Sequence, residues 1–102
     1  MQTINPTDSD RSRIHWLLVD VRNGLRSRAI NAQARLDVAL RRLHIDVYPV
    51  QGPNKSIRYQ ARCEAHWIGA SGDPARSRNA AIKSLLEWMR GPAMRHNITI
   101  PS

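Results

Sequence analysis

Polar and apolar residues alternate without interruption over residues 57–67. The apolar positions are Ile57, Tyr59, Ala61, Cys63, Ala65 and Trp67. Successive side chains of a β-strand point to opposite faces, so the alternation predicts a long strand with one buried and one solvent-exposed face. Residues 44–50 alternate in the same way, which predicts a second, shorter strand.

Turn-forming residues separate the two predicted strands, in the order Gly52-Pro53-Asn54-Lys55-Ser56, and predict a hairpin. The register can be predicted from charge, because opposite charges that meet across a strand pair contribute a few tenths of a kcal/mol up to about 1. The register that places opposite charges across from each other pairs Gln51 with Ile57, Val47 with Ala61, Asp46 with Arg62, Ile45 with Cys63 and His44 with Glu64.

The second half of the long strand extends past the end of this hairpin and needs a partner of its own. Residues 96–100 form one candidate, since they suit a short strand. A turn soon after Trp67 would serve as well. The third alternative is a homodimer that pairs through the open edge of residues 57–67.

Apolar residues recur every three or four positions over residues 9–43, which is typical of helices with one buried face. Asn23-Gly24 favours a helix end within this stretch. We therefore predict two helices, residues 11–22 and 27–43, with one long helix as the alternative.

A last helix is predicted from its end signals. Asp73 suits the N-cap and Pro74 the first helical position, whereas Gly91 and Pro92 favour termination. Its predicted buried stripe is Ala75, Ile82, Leu85, Leu86 and Met89.

These elements predict one α+β domain over residues 9–92, with helices packed on one face of a small antiparallel sheet in the order α-α-β-β-(β)-α. The 102 residues suffice for one core. We expect residues 1–8 to be a flexible leader and residues 93–102 a tail that is a candidate edge strand.

The charge balance changes the functional picture. Sixteen basic residues stand against eight acidic ones, which gives a net charge of +8 and a pI near 11.3. Such a balance attracts polyanions, and nucleic acid is the commonest of these. All basic residues except Lys55 and Lys83 are arginine, which binds phosphate bidentately. A genome rich in G and C also raises the arginine content, so a compositional origin is the alternative.

Six basic residues form two series with a spacing of seven. The first basic ladder is Arg28, Arg35 and Arg42, and the second basic ladder is Arg76, Lys83 and Arg90. Residues seven apart share a helix face about 10.5 Å apart, so the two ladders could follow two phosphate strands. The alternative is two ordinary solvated helix faces. Arg78 adds charge at the start of the last helix, where the helix dipole favours an anion instead.

The aromatic residues have mostly structural interpretations. Trp16, Trp67 and Trp88 are expected to be buried in the core or an interface. Tyr48, on the polar face near Arg58 and Arg62, is placed to stack on a base. An exposed strand tyrosine without a ligand is the alternative.

The sequence predicts no enzyme and no cofactor. Cys63 and His66 point to opposite faces of their strand, which excludes a nucleophile and base pair at this spacing. Glu64, His66 and Arg62 share a face and could act in RNA cleavage, but solvated strand residues are the preferred interpretation. No spacing typical of a metal site is present. A lone cysteine and the lack of a signal or membrane segment predict a cytoplasmic protein.

Residues 27–90 resemble the double-stranded RNA-binding domain family in their order of helix, hairpin and helix. Ala80-Ala81-Ile82-Lys83-Ser84-Leu85 is similar to that family's Ala-Ala-x-x-Ala-Leu stretch. The resemblance implies phosphate contacts at the start of the last helix, where Asp73 and Pro74 replace the family's lysines and Arg76 and Arg78 are the nearby substitutes.

Gly72-Asp73, Asn79-Ala80-Ala81 and Trp88 also resemble small phage α/β sandwich proteins and antitoxins with a partial ribonuclease H fold. That resemblance implies an inhibitor of a host protein or ribonucleoprotein, of the anti-CRISPR type. Our leading expectation is a nucleic-acid-binding protein that contacts phosphates through arginine-lined helix faces, and the inhibitor is the alternative. The expected contact residues are Arg28, Arg35, Arg42, Arg76, Arg78, Lys83 and Arg90.

Overall fold

A computed structural model of the chain describes residues 7–65 and 68–101. Helices α1 (Asp8–Arg26) and α2 (Ile30–Arg42) come first, followed by strands β1 (Ile45–Gln51), β2 (Ile57–Ala65) and β3 (Ile68–Ser71) and by helix α3 (Arg78–Arg95). The strands form one antiparallel sheet in the order β1-β2-β3. The predicted α+β class is confirmed.

The predicted hairpin register is confirmed. Gln51 pairs with Ile57, and Asp46 lies opposite Arg62. His44 adopts a left-handed conformation with φ of 54° just before β1, and its carbonyl still accepts a hydrogen bond of 3.0 Å from the Glu64 N–H. The predicted end of the long strand at His66 and Trp67 lies outside the described residues.

β2 is the central strand. Beyond the hairpin it pairs with β3, from Arg62 opposite Ser71 to Ala65 opposite Ile68. The pairing of Ala65 with Ile68 thus reverses the chain direction earlier than the alternative of a turn soon after Trp67 placed it. Because the pairing lies within one chain, the interpretation that this strand edge is open for a homodimer is wrong.

The helices cover one face of the sheet. Inward-facing residues of the strands, such as Ile45, Ala61 and Cys63, are buried, whereas Asp46 and Glu64 on the other face are exposed. Buried residues of all three helices belong to the same core cluster. They include Ile14, Leu18 and Val21 of α1, Leu36, Ala39 and Leu40 of α2, and Ile82, Leu85 and Met89 of α3.

The prediction of two helices is confirmed, but their predicted boundaries are wrong. Thr7 caps α1 with a capping box, in which its side chain accepts from the Asp10 N–H at 3.1 Å, so the helix begins at Asp8. The helix also passes through Asn23-Gly24. Gly24 is needed for close packing, since a Cβ there would lie 2.4 Å from the Leu36 Cβ.

The predicted start of the last helix at Asp73 and Pro74 is wrong. The chain stays extended there, because Ala75 exchanges two backbone hydrogen bonds of 2.8 Å with Tyr59 of β2. Ser77 is the N-cap instead, and its side chain accepts from the Ala80 N–H at 3.1 Å.

The predicted end at Gly91 and Pro92 and the predicted strand over residues 96–100 are also wrong. α3 continues through Pro92 and buries Ala93. Asn97 then adopts φ of 57°, and the Ile98 N–H donates to the Ala93 carbonyl at 2.9 Å. This is the hydrogen bonding of a Schellman cap, with buried Ile98 as its apolar residue.

The close packing at Gly24 generates a stability prediction. Gly24→Ala gains about 1 kcal/mol of helix propensity but forces α1 away from Leu36, and overpacking costs about 1–3 kcal/mol. We expect a net loss of up to about 2 kcal/mol in the free energy of unfolding, measured in urea.

Gly69→Ala is the control. A Cβ at Gly69 meets nothing within 4 Å. This substitution should leave the free energy of unfolding unchanged or raise it by up to about 1 kcal/mol. Equal effects of the two substitutions would refute the packing role of Gly24.

Candidate functional site

Each predicted basic ladder has two members on a helix. Arg35 and Arg42 lie on α2, but Arg28 precedes it in the α1–α2 connection. Lys83 and Arg90 lie on α3, whereas Arg76 precedes the N-cap. The interpretation of two three-membered helical series is therefore wrong, although all six side chains are exposed.

Individual residues of the two ladders line different cavities. Arg35 lines a depression between α1 and α2, in which Asp20 provides a negative charge. Lys83 and Arg90 line a separate cleft between α1 and α3. Neither of these two cavities is lined by residues of both ladders.

Arg78 is the first residue of α3, where a positive side chain opposes the helix dipole. Its guanidinium lies 3.5 Å from an Asp37 carboxylate oxygen on α2. An acidic side chain of the protein therefore partly relieves the mismatch for which we expected a phosphate. The pair is solvent-exposed, so its contribution to stability is small, about 0–1 kcal/mol.

Arg58 and Arg76 meet at a pocket that we call the loop pocket. It has a volume of about 480 Å³ and is lined by Gln51, Gly52, Pro53, Arg58, Pro74, Ala75 and Arg76. Antiparallel pairing of Tyr59 with Ala75 places Arg58 and Arg76 at the next register position, across from each other. Like charges directly opposite each other destabilise a strand pair.

No ion pair compensates the charges of the loop pocket within the described ranges. The arginines that form ion pairs among the described residues are Arg11, Arg13, Arg62 and Arg78, and none of them lines the loop pocket. The pocket lining includes no acidic side chain. Arg58 is half-buried and lies over Gly52, where a Cβ would come within 2.5 Å of its Cγ.

The outer face of the sheet adjoins Arg58. Tyr48 lies there, half-buried and opposite Gln60, with Arg58 and Arg62 two residues away on either side of that partner. Arg62 lies 3.2 Å from Glu64. Tyr48 therefore lies on the outer face near Arg58 and Arg62, as predicted. Of these two arginines, Arg58 forms no ion pair within the described residues.

The cleft between α1 and α3, which we call the α1–α3 cleft, has a volume of about 210 Å³. Arg22 and Arg26 of α1 face Lys83 and Arg90 of α3 across it. The Nε of Arg22 is buried and has no hydrogen-bond partner within the described residues. An unsatisfied buried donor costs about 1–3 kcal/mol.

Sequence reasoning missed Arg22 and Arg26 as members of a site. The available signal was their spacing of four, which places both on one flank of α1 beside Leu25. The sequence pattern did not indicate which helix packs against that flank.

The other candidate residues from the sequence do not form a further site among the described residues. His66 lies outside the described residues, and within them no group of three His, Cys, Asp or Glu side chains could hold a metal ion. Gly72 lies against α3, since a Cβ there would be 2.6 Å from the Leu85 backbone nitrogen. The segments that the structure describes include no helix long and apolar enough to cross a membrane.

Two tryptophans are more exposed than a place in the core would allow. Trp16 is 63% exposed and contacts the His15 ring edge-on, and Trp88 is 56% exposed. Burial of these two in the core is therefore wrong, and burial in an interface stays a prediction. Trp67 lies outside the described residues.

Cys63 is buried, as predicted, and its thiol donates to the Leu43 carbonyl at 3.3 Å. Burial raises the pKa of the Cys63 thiol above its ordinary value. The thiol is therefore kept protonated as a structural group.

No protein-family model, curated protein or solved structure matches this chain.

The raised pKa of Cys63 predicts a pH dependence of stability. The unfolded thiol loses its proton at a lower pH than the folded one, so the free energy of unfolding should fall as pH rises through the ordinary thiol pKa of about 8.5. Urea titrations between about pH 7.5 and 9.5 would measure this slope.

The Cys63→Ala variant provides the comparison, because it lacks the titrating thiol but keeps the other charges. Its free energy of unfolding should fall less steeply over the same pH range. Identical slopes for the two proteins would contradict a pKa difference between the folded and unfolded thiol.

Proposed function

We propose that this protein binds nucleic acid, with the backbone phosphates held at the loop pocket. The observation that carries the proposal is the position of Arg58 and Arg76, which lie across from each other with no compensating acid in the pocket lining. A phosphate accepts hydrogen bonds from both guanidinium groups and removes their mutual repulsion. The net charge of +8 favours the approach of such a polyanion.

Tyr48 supports single-stranded nucleic acid as the first ligand to test. It lies on the same sheet face as Arg58, two positions away along the strand pair. A strand with one phosphate at the loop pocket could place a neighbouring base on the phenol ring. Base stacking on an aromatic residue contributes about 1–3 kcal/mol.

The remaining arginine sites are secondary contacts in this proposal. Arg28 precedes α2, Arg35 and Arg42 lie on it, and Arg78 is already paired with Asp37. Lys83 and Arg90 belong to the α1–α3 cleft. They raise the general attraction for a polyanion, whereas the loop pocket provides a defined contact.

The test replaces both arginines of the loop pocket. Arg58→Gln/Arg76→Gln should weaken binding of a labelled 20-nucleotide single strand, and the slope of log K against log salt should flatten by about 0.7 for each lost phosphate contact. Fluorescence anisotropy over a range of salt concentrations measures both quantities, with duplex DNA and duplex RNA as parallel ligands.

Arg41→Gln/Arg95→Gln is the matched control, because it removes the same charge from two exposed helix positions outside the pocket that likewise form no ion pair within the described residues. It should reduce affinity less than the pocket variant does. If both double variants lose affinity equally, the loop pocket is no specific contact. If neither binds less tightly than the original protein, the proposed function is wrong.

A second observation favours the alternative of an inhibitor that binds a host protein. Trp16 and Trp88 are more than half exposed, and tryptophan is enriched at the centres of protein interfaces. This function requires a stable complex with one cellular protein.

A pull-down from lysate, with and without nuclease, separates the two functions. A protein inhibitor should retain its partner after nuclease treatment at moderate salt and lose it on Trp16→Ala or Trp88→Ala. Loss of all bound protein after nuclease treatment would contradict the inhibitor and agree with nucleic-acid binding.

A further inference from the structure

The α1–α3 cleft differs from the loop pocket in its construction. Four basic side chains enter it from two helices, Arg22 and Arg26 from α1 and Lys83 and Arg90 from α3. Its apolar lining is Leu25, Leu86 and Pro101. Low-dielectric walls beside several like charges concentrate a positive potential in the space between them.

Glu87 is the acidic residue in the lining of the cleft. It forms no ion pair of 4.0 Å or less within the described residues, and the same holds for Arg22, Lys83 and Arg90. Leaving Arg26 aside, one carboxylate stands against the three cations Arg22, Lys83 and Arg90, a surplus of about two positive charges at neutral pH, when Arg and Lys are protonated and Glu is ionised. A ligand with two negative charges suits this surplus better than one with a single charge.

Arg22 indicates where such a ligand would bind. Its Nε is buried and has no acceptor within the described residues, although the side chain lines the cleft. A guanidinium presents its Nε–H and a neighbouring N–H in a fixed fork that matches two oxygens of a phosphate. An oxyanion in the cleft would give this donor its missing acceptor.

The size of the cleft limits the ligand. Pockets that enclose a small molecule usually have about 300–1,000 Å³, whereas this cleft has about 210 Å³. It has room for a phosphate group and the atoms next to it, but not for a complete nucleotide. A terminal phosphate can enter such a space more readily than a phosphodiester with a nucleotide on each side.

We infer that the α1–α3 cleft is a binding site for a phosphomonoester dianion, held by Arg22, Lys83 and Arg90. The phosphomonoester is either the end of a nucleic-acid strand or part of a small phosphorylated molecule. This site is separate from the loop pocket and does not depend on the proposed backbone contacts.

The first arm of the test uses small phosphates. Inorganic phosphate and adenosine 5′-monophosphate should raise the Tm of the full chain at pH 7.5 more than sodium chloride of equal ionic strength. Arg22→Gln should weaken phosphate binding by about tenfold or more, because a charge-assisted hydrogen bond is lost. Lys83→Gln is a second variant, in case Arg22→Gln does not fold.

The second arm compares a 5′-phosphorylated oligonucleotide with its 5′-hydroxyl form. If the ligand is a strand end, the phosphorylated form should bind more tightly, and Arg22→Gln should remove the difference while leaving the hydroxyl form unaffected. If the small phosphates bind but the two oligonucleotides do not differ, the ligand is a small phosphorylated molecule. Both results support the phosphomonoester site.

Glu87→Gln gives a test in the opposite direction. Removing the acidic residue of the lining should strengthen phosphate binding by up to about fivefold. Arg95→Gln is the matched control on α3, because it removes a positive charge outside the cleft lining and should leave phosphate binding nearly unchanged.

A Tm rise that chloride reproduces, or phosphate binding that Arg22→Gln and Lys83→Gln leave intact, would overturn this inference. Failure of the 5′-hydroxyl oligonucleotide to bind would instead count against the proposed backbone contacts. The two proposals can therefore fail independently.

Discussion

The structure depends on the pairing of β2 along both of its edges. β1 pairs with one edge from Ile57 to Cys63, and β3 pairs with the other from Arg62 to Ala65. Because side chains alternate along a strand, this pairing also decides which residues enter the core. A shift by one residue would bury Arg62 and Glu64 and expose Cys63, so burial strongly favours the observed register.

The same pairing determines where α3 begins. The Gly72 N–H donates to the Ala61 carbonyl at 2.9 Å, and Ala75 pairs with Tyr59. Residues 72–75 therefore complete the edge of β2 that β3 leaves uncovered and are not available to a helix. The loop pocket is a consequence, since this extended segment places Arg76 across from Arg58.

Sequence patterns that span a few neighbouring residues predicted the parts of the fold that depend on local contacts. The alternation over residues 57–65 and the charges of Asp46 and Arg62 were sufficient for the hairpin register. The end of α3 was not predictable in this way, because Gly91 and Pro92 are ordinary stop signals. Burial of Met89 and Ala93 against the rest of the core outweighs them, and the sequence pattern does not show that contact.

The candidate sites show the same limit. The spacing of seven correctly indicated that Lys83 and Arg90 share a flank of α3, because helix geometry alone decides it. Spacing did not indicate that this flank faces Arg22 and Arg26, since that depends on how α1 and α3 pack. The pairing of Arg58 with Arg76 was missed for a similar reason, because residue 76 was expected on a helix.

The distribution of ion pairs bears on whether the arginine excess is compositional. Acidic residues neutralise several arginines in pairs, namely Arg11 with Asp8, Arg13 with Asp10, Arg62 with Glu64 and Arg78 with Asp37. Arg22, Arg58, Arg76, Lys83 and Arg90 form no such pairs within the described residues, and each lines either the loop pocket or the α1–α3 cleft. Six further basic residues also form no such pairs within the described residues and line neither cavity, namely Arg28, Arg35, Arg41, Arg42, Lys55 and Arg95. The lack of an ion pair alone therefore does not separate a functional from a compositional origin. What distinguishes the loop pocket and the α1–α3 cleft is that several uncompensated charges share one concave space, where their mutual repulsion is greatest.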